Sequence, residues 1–152
     1  MKTAVVTAVS ILLGVCFLFA ATGLIFSRIR KRLERHIHTK FDGREIIGAT
    51  SRVNFFGEKS KGGKQIRGNG ALVLTKDEVY FFRALPSKEY VIALKSITNV
   101  SLPTSFNGKS VFSKLLCIQY RTGSGSDEMA WAINNPEEWK EAVERQISQI
   151  TG

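Results

Sequence analysis

Lys59, Lys61, Lys64 and Arg67 crowd around Gly62-Gly63, and no other group in this 152-residue chain is better suited to hold a ligand. Several fixed cations beside glycine-rich backbone can neutralise clustered anionic oxygens, since ammonium and guanidinium groups donate charge-assisted hydrogen bonds and nearby N–H groups complete the cradle. These four are candidates for a lipid- or anion-binding site. A solvated loop that merely faces an acidic membrane or partner accounts for the same residues. The remaining reactive types do not assemble into a catalytic set. Gly108-Lys109-Ser110 ends like a phosphate-binding loop, but Pro103 stands where the leading glycine belongs and no helix-forming stretch follows. His36 and His38 are the only histidines, and two residues apart on a helix they diverge, so they do not share a metal. Asp127 and Glu128 would point to opposite sides of an extended segment, which does not suit paired-carboxylate chemistry. Cys117 lies in the apolar run Leu115 to Tyr120 and reads as core or sheet surface. The expectation is a non-enzymatic chain with no catalytic residue, no metal and no cofactor.

The elements that position the basic loop begin with an apolar helix. From Ala4 to Phe26 there is no charged residue, and these 23 positions at about 1.5 Å each give roughly 34 Å of helix, enough for a hydrocarbon core of about 30 Å. Arg28, Arg30, Lys31, Arg32 and Arg35 follow at once as a membrane-proximal basic cluster, whereas only Lys2 and the terminal amine precede the run. The positive-inside rule then predicts a single-pass cell-membrane protein, N-terminus outside and C-terminal domain cytoplasmic. A cleaved signal peptide would use Ala21-Thr22-Gly23, but its apolar stretch is too long and the arginines beyond it resist export. Leu13-Gly14-Val15-Cys16 is similar to a lipoprotein signal, with a bulky Val15 where a small residue is needed. The expected division is a transmembrane anchor over 1–27, a basic amphipathic stalk over 28–40 and one domain over 41–152.

Phe26, Ile29, Leu33 and Ile37 recur at helical spacing, which predicts that the helix runs on to about Thr39 and breaks near Gly43. Strand signals take over from Glu45. Seven segments are predicted: Ile46 to Glu58, Gly70 to Thr75, Glu78 to Arg83, Glu89 to Leu94, Ser96 to Leu102, Leu115 to Arg121 and Glu128 to Ile133. That number of short strands with turns between them favours a small barrel or sandwich. A final helix starts sharply, with Asn135 as N-cap, Pro136 in the first turn and Glu138 completing a capping box. Trp139, Val143, Ile147 and Ile150 form its apolar stripe. Cys16 and Cys117 fall on opposite sides of the membrane boundary and predict no intrachain disulfide.

The order Gly70-Ala71-Leu72-Val73-Leu74-Thr75, then Val79-Tyr80-Phe81-Phe82, then Tyr90 to Val100 resembles the pleckstrin-homology (PH) superfamily, in particular its GRAM and bacterial PH-like branches. Ala93 departs from the pattern, which often has proline there. Asn54-Phe55-Phe56-Gly57, Gly68-Asn69-Gly70 and Ala130-Trp131 are further similar to an uncharacterised group of bacterial membrane-anchored PH-like proteins. The resemblance covers 45–150. It implies a mainly β fold, a seven-stranded two-sheet barrel with one open end plugged by the C-terminal helix. It also places Lys59, Lys61, Lys64 and Arg67 on the first hairpin, where phosphoinositide-binding PH domains carry headgroup ligands, although their spacing does not match that motif closely.

Charge is uneven along the chain. Residues 28–76 hold 13 Lys/Arg against four acids, whereas residues 77–152 hold eight against nine. Such cations are attracted to anionic lipid at the cytoplasmic leaflet by about 1 kcal/mol each near the surface. Phe55, Phe56, Tyr80, Phe81, Phe82 and Trp131 could stack on bases, but period-two alternation buries one of each neighbouring pair, and no nucleic acid is expected as partner. The leading functional expectation is a membrane-held module for protein interaction. The alternative is anionic headgroup binding through the basic hairpin, and self-association through the span, stalk or barrel edges is a third reading.

Overall fold

The computed structural model describes the backbone of residues 2–151 and the side chains of residues 12–150. The side chains of the expected span before Leu12 lie outside the described residues. Helix α1 (Lys2–Lys40) is followed by β1 (Ile46–Glu58), β2 (Gly68–Thr75), β3 (Glu78–Arg83), β4 (Lys88–Ala93), β5 (Ile97–Ser101), β6 (Ser105–Phe106), β7 (Lys109–Ser110), β8 (Leu116–Thr122), β9 (Gly125–Ile133) and α2 (Pro136–Thr151). Contacts divide the chain into Met1–Arg32 and Leu33–Gly152.

In the first unit Leu12, Leu13, Phe17, Leu18, Phe19 and Leu24 all stand largely exposed, so the helix presents apolar side chains all round. Such a surface is stable in hydrocarbon and not in water. Thr22 Oγ1 donates to the carbonyls of Leu18 and Phe19, and Ser27 Oγ to that of Leu24, so these hydroxyls are satisfied within the helix. Among the described residues one helix, Leu12–Lys40, is long and apolar enough to cross a membrane.

The second unit is an antiparallel barrel with strand order β4-β3-β2-β1-β9-β8-β5. β1 is its backbone hinge: residues 46–55 pair with β2, residues 53–58 pair with β9, and register shifts at Ile46/Gly48, Thr50/Val53 and Phe55/Gly57 bend the strand between the two halves. Phe55, Leu72, Leu74, Phe81, Leu94, Leu116, Ile118 and Trp131 fill the interior. Val143 of α2 inserts into the same cluster with Trp139 and Ile147 against it, as the helix stripe predicts.

Burial does not follow the expected alternation. Ala71 and Val73 of β2 and Tyr80 of β3 are as inaccessible as Leu72, Leu74 and Phe81 beside them. The reason is a second layer on the outside. Leu33, Ile37 and Phe41 are buried, Phe41 meets the Tyr80 ring edge-on at 5.1 Å, and the His36 ring stacks on Phe82 at 4.0 Å, so the last turns of α1 and the residue beyond cover the outer face of β2 and β3. On the other half, Phe106 from the β6–β7 hairpin packs with Phe56, Leu115, Cys117 and Ala130. Only the second half of the predicted stalk stripe is used here, since Phe26 is exposed.

The start of α2 also differs in detail. Asn135 has φ of 52°, and its side-chain Nδ2 donates to Glu138 Oε1 at 3.1 Å, so the pair closes through two side chains where a capping box uses backbone N–H groups.

Candidate binding surfaces

The basic hairpin grows out of the end of β1. After Glu58 the chain makes a single 3-10 turn, Lys59–Lys61, and leaves it through Gly62 at φ 65°, a left-handed conformation open to glycine. Gln65 then folds back over the turn: its Oε1 accepts from Glu58 N at 2.9 Å, and its Nε2 donates to the Gly62 carbonyl at 2.7 Å. Asn107, at the tip of the β6–β7 hairpin, donates to the Glu58 and Gly62 carbonyls at 3.1 and 3.3 Å. The loop is thus held by two amide side chains, one from its own strand connection and one from the β6–β7 hairpin.

Its cations are brought together and then largely engaged. Lys59 pairs with Glu128 at 2.8 Å, and Lys61 pairs with Glu58, which Lys88 also approaches at 3.6 Å. The Arg67 guanidinium lies 4.0 Å from the centre of the Phe56 ring. Lys64 is exposed and has no ion pair or ring contact among the described residues. Ser60 donates to Asp127 through both its N–H, at 3.0 Å, and its Oγ, at 2.6 Å. Asp127 and Glu128 therefore serve as counter-charges for the loop. The sequence holds no local signal for this, because the partners are far apart along the chain.

Burial pushes the Asp127 and Glu128 carboxyls up, but the opposing contacts win. Ser60 and the Glu128 N–H for Asp127, and the Cys117 thiol and Lys59 for Glu128, hold both below the usual carboxylate range. A carboxyl whose folded pKa is depressed contributes stability above its unfolded pKa, about 4, and loses it as pH falls through the folded value. The urea midpoint of the barrel should therefore fall from about pH 5 downwards, and Asp127→Asn should flatten that profile; an unchanged slope in the variant would show that the carboxylate is not engaged. The Cys117 thiol, which donates to Glu128 Oε1 at 3.0 Å, is pushed up by burial and by that carboxylate, the opposite of an activated nucleophile.

The adjoining β3–β4 turn is tied to the basic loop by Arg83, which donates to the Pro86 carbonyl at 3.1 Å and the Ile66 carbonyl at 3.3 Å. Ile66 and Leu85 stand exposed beside it. The stalk cations Arg28, Arg30, Lys31, Arg32 and Arg35 are all exposed on α1. His36 is not plain polar surface: its Nε2 lies 2.8 Å from Tyr80 Oη and 3.5 Å from Glu89, which Lys40 also pairs with. His38 is exposed and lines a surface cleft with Glu34 and Ile37. Gly108-Lys109-Ser110 belongs to the β6–β7 hairpin, whose Asn107 and Gly108 at φ 49° and 73° make a mirror-type turn; the Asn-Gly pair is the signal for it.

Several stretches of strand backbone have a ladder on one side only, β4 at one end of the sheet among them. β5 ends the sheet, and beside it α2 forms a groove lined by Ile97, Thr98, Asn99, Val100, Glu144 and Ile147. The first half of β1 is another, because β9 pairs only with 53–58.

Comparison with solved structures gives the architecture a name. The Vps36 N-terminal PH domain superposes with a TM-score of 0.53 at 16% identity, covering 72% of this chain and 83% of that one. The fold is PH-like. The C-terminal domain of an unknown protein from Leishmania infantum superposes with a TM-score of 0.55 at 13% identity over 77% of this chain and 96% of that one, and a chain of the 8S snRNP assembly intermediate with 0.52 at 10% over 68% and 82%. No protein-family model and no curated protein matches the chain. At these identities the likeness concerns the fold alone.

Proposed function

We propose that this chain is a non-enzymatic, single-pass membrane protein of the bacterial GRAM-like kind that presents its PH-like barrel to the cytosol and binds a protein partner there. The observation that carries the reading is that two open strand edges, those of β5 and of the first half of β1, lie beside α2. Unpaired N–H and C=O groups next to a groove are a template for an extended segment of another chain, with backbone bonds for affinity and flanking pockets for choice. The positive-inside argument from Arg28 to Arg35 supports the cytosolic orientation. The apolar helix already secures membrane residence, so the barrel need not supply it.

Anionic-lipid binding is the second reading, favoured by one feature: exposed Ile66 and Leu85 sit next to Lys64, the hairpin cation without a pair or ring partner among the described residues. Apolar tips within a basic collar suit the headgroup boundary. Photo-crosslinking side chains at Asn99, Ala49 and Lys64 of the full chain in its native membrane separate the two. Discrete protein adducts from Asn99 or Ala49 are expected. Lipid adducts from Lys64 with no protein adduct at either edge would overturn the protein reading.

A further inference from the structure

The open edge of β1 is built differently from that of β5. Over Gly48, Ala49 and Thr50 the register with β2 is regular, opposite Leu74, Val73 and Leu72. In such a ladder alternate residues direct their N–H and C=O groups away from the partner strand. At this height one helix lies on each face of the strand. On the inner face Trp139 of α2 rests against Gly48, where a Cβ would stand 3.6 Å from the indole, and a cavity of about 260 Å³ opens between Gly48, Ala49, Leu74, Trp139 and Ala142. On the outer face a cavity of about 210 Å³ lies between Ile37, His38, Ile46, Ala49 and Ser51.

A strand added to this edge would send successive side chains to opposite faces. One would lie in the Trp139 cleft and the next in the Ile37 cleft, both of which open to the surface. Both are lined chiefly by apolar carbon. The acidic groups in their linings are Glu138 on the inner side and Glu34 on the outer, where His38 stands beside it, and neither lining includes a lysine or arginine. The complement of that pattern is a run of consecutive aliphatic residues with basic residues at its ends.

We propose that Gly48–Thr50 is a docking edge for an extended protein segment of that chemistry, which joins the sheet between the Ile37 face of the stalk and Trp139. This rests on the protein-binding reading above and names its site and partner class. The segment would touch Leu33–Lys40 and α2 together, so its binding would also hold the end of the stalk to the barrel.

The test uses the full chain in nanodiscs of neutral lipid and a fluorescein-labelled peptide of alternating valine and isoleucine between lysine pairs, followed by anisotropy. Saturable binding is expected, weakened at least tenfold by Ala49→Trp, whose indole would occupy the outer cavity from an exposed edge position. The reversal Glu34→Lys, on an exposed side chain, should weaken it comparably without touching the core. Alternate N-methylation of the peptide should abolish it. Binding insensitive to all three changes, or no binding of the peptide, overturns this site and partner class. Edge crosslinks to a cellular protein from Asn99 in that case leave the broader reading standing, and their absence as well removes both.

Discussion

Gly70→Ala is expected to cost this barrel more than any other single-methyl change. A Cβ at Gly70 would stand 2.3 Å from the Phe82 carbonyl oxygen and 2.5 and 2.7 Å from two carbons of the Phe81 ring. Gly70 pairs with Arg83 at the end of the β2–β3 ladder, and the clash is with the β3 backbone itself, so the two strands can relieve it only by separating there. Phe81 cannot swing aside, since it is held in the core against Phe55, Tyr90 and Trp131. Overpacking a core that can yield costs about 1–3 kcal/mol, and a clash with fixed backbone belongs at or above the top of that range. At about 4 °C per kcal/mol for a domain of this size, the melting temperature should drop by roughly 12 °C or more. A thermal scan in detergent within about 2 °C of the parent would show that the two strands are not this close.

The second large effect comes from a position that reads as linker. Leu33 is 2% exposed, although by spacing it belongs to a stalk between span and domain. Leu33→Ala should destabilise the barrel by about 3 kcal/mol, within the 2–5 found for buried leucines, and Phe41→Ala by a similar amount. The physical reason is that Ala71, Val73, Tyr80 and Phe82 would otherwise face water on the outside of the sheet. Denaturant titration of the full chain measures this. An Ile29→Ala control, on the same helix but in the other unit, should leave the barrel transition unmoved, and equal midpoints for all three variants would contradict the packing.

Most of the barrel was legible in the sequence because its signals are local. Strand β1 and strand β3 match their predicted bounds, and α2 starts at Pro136 as expected, although Asn135 and Glu138 bond to each other instead of to backbone N–H groups. What escaped was everything set at long range. The runs Ala71 to Leu74 and Val79 to Phe82 lack polar residues on either face, and that absence of alternation was itself the sign of a doubly covered sheet. Asn107-Gly108 marked a hairpin that attention to Gly108-Lys109-Ser110 obscured. Lys59 and Lys61 read as available cations because Glu128 lies remote in sequence and the neighbouring Glu58 reads as the end of a strand. The fate of a surface charge depends on what the fold sets beside it, which residue type and spacing do not encode.

Everything proposed for partners depends on which side of the membrane the barrel occupies. Protease added outside sealed right-side-out vesicles should leave Leu33–Gly152 intact, and the same protease added outside inverted vesicles should digest its exposed loops while the apolar helix stays with the bilayer. Digestion in right-side-out vesicles with protection in inverted ones, or recovery of the barrel free of the membrane, would contradict the account.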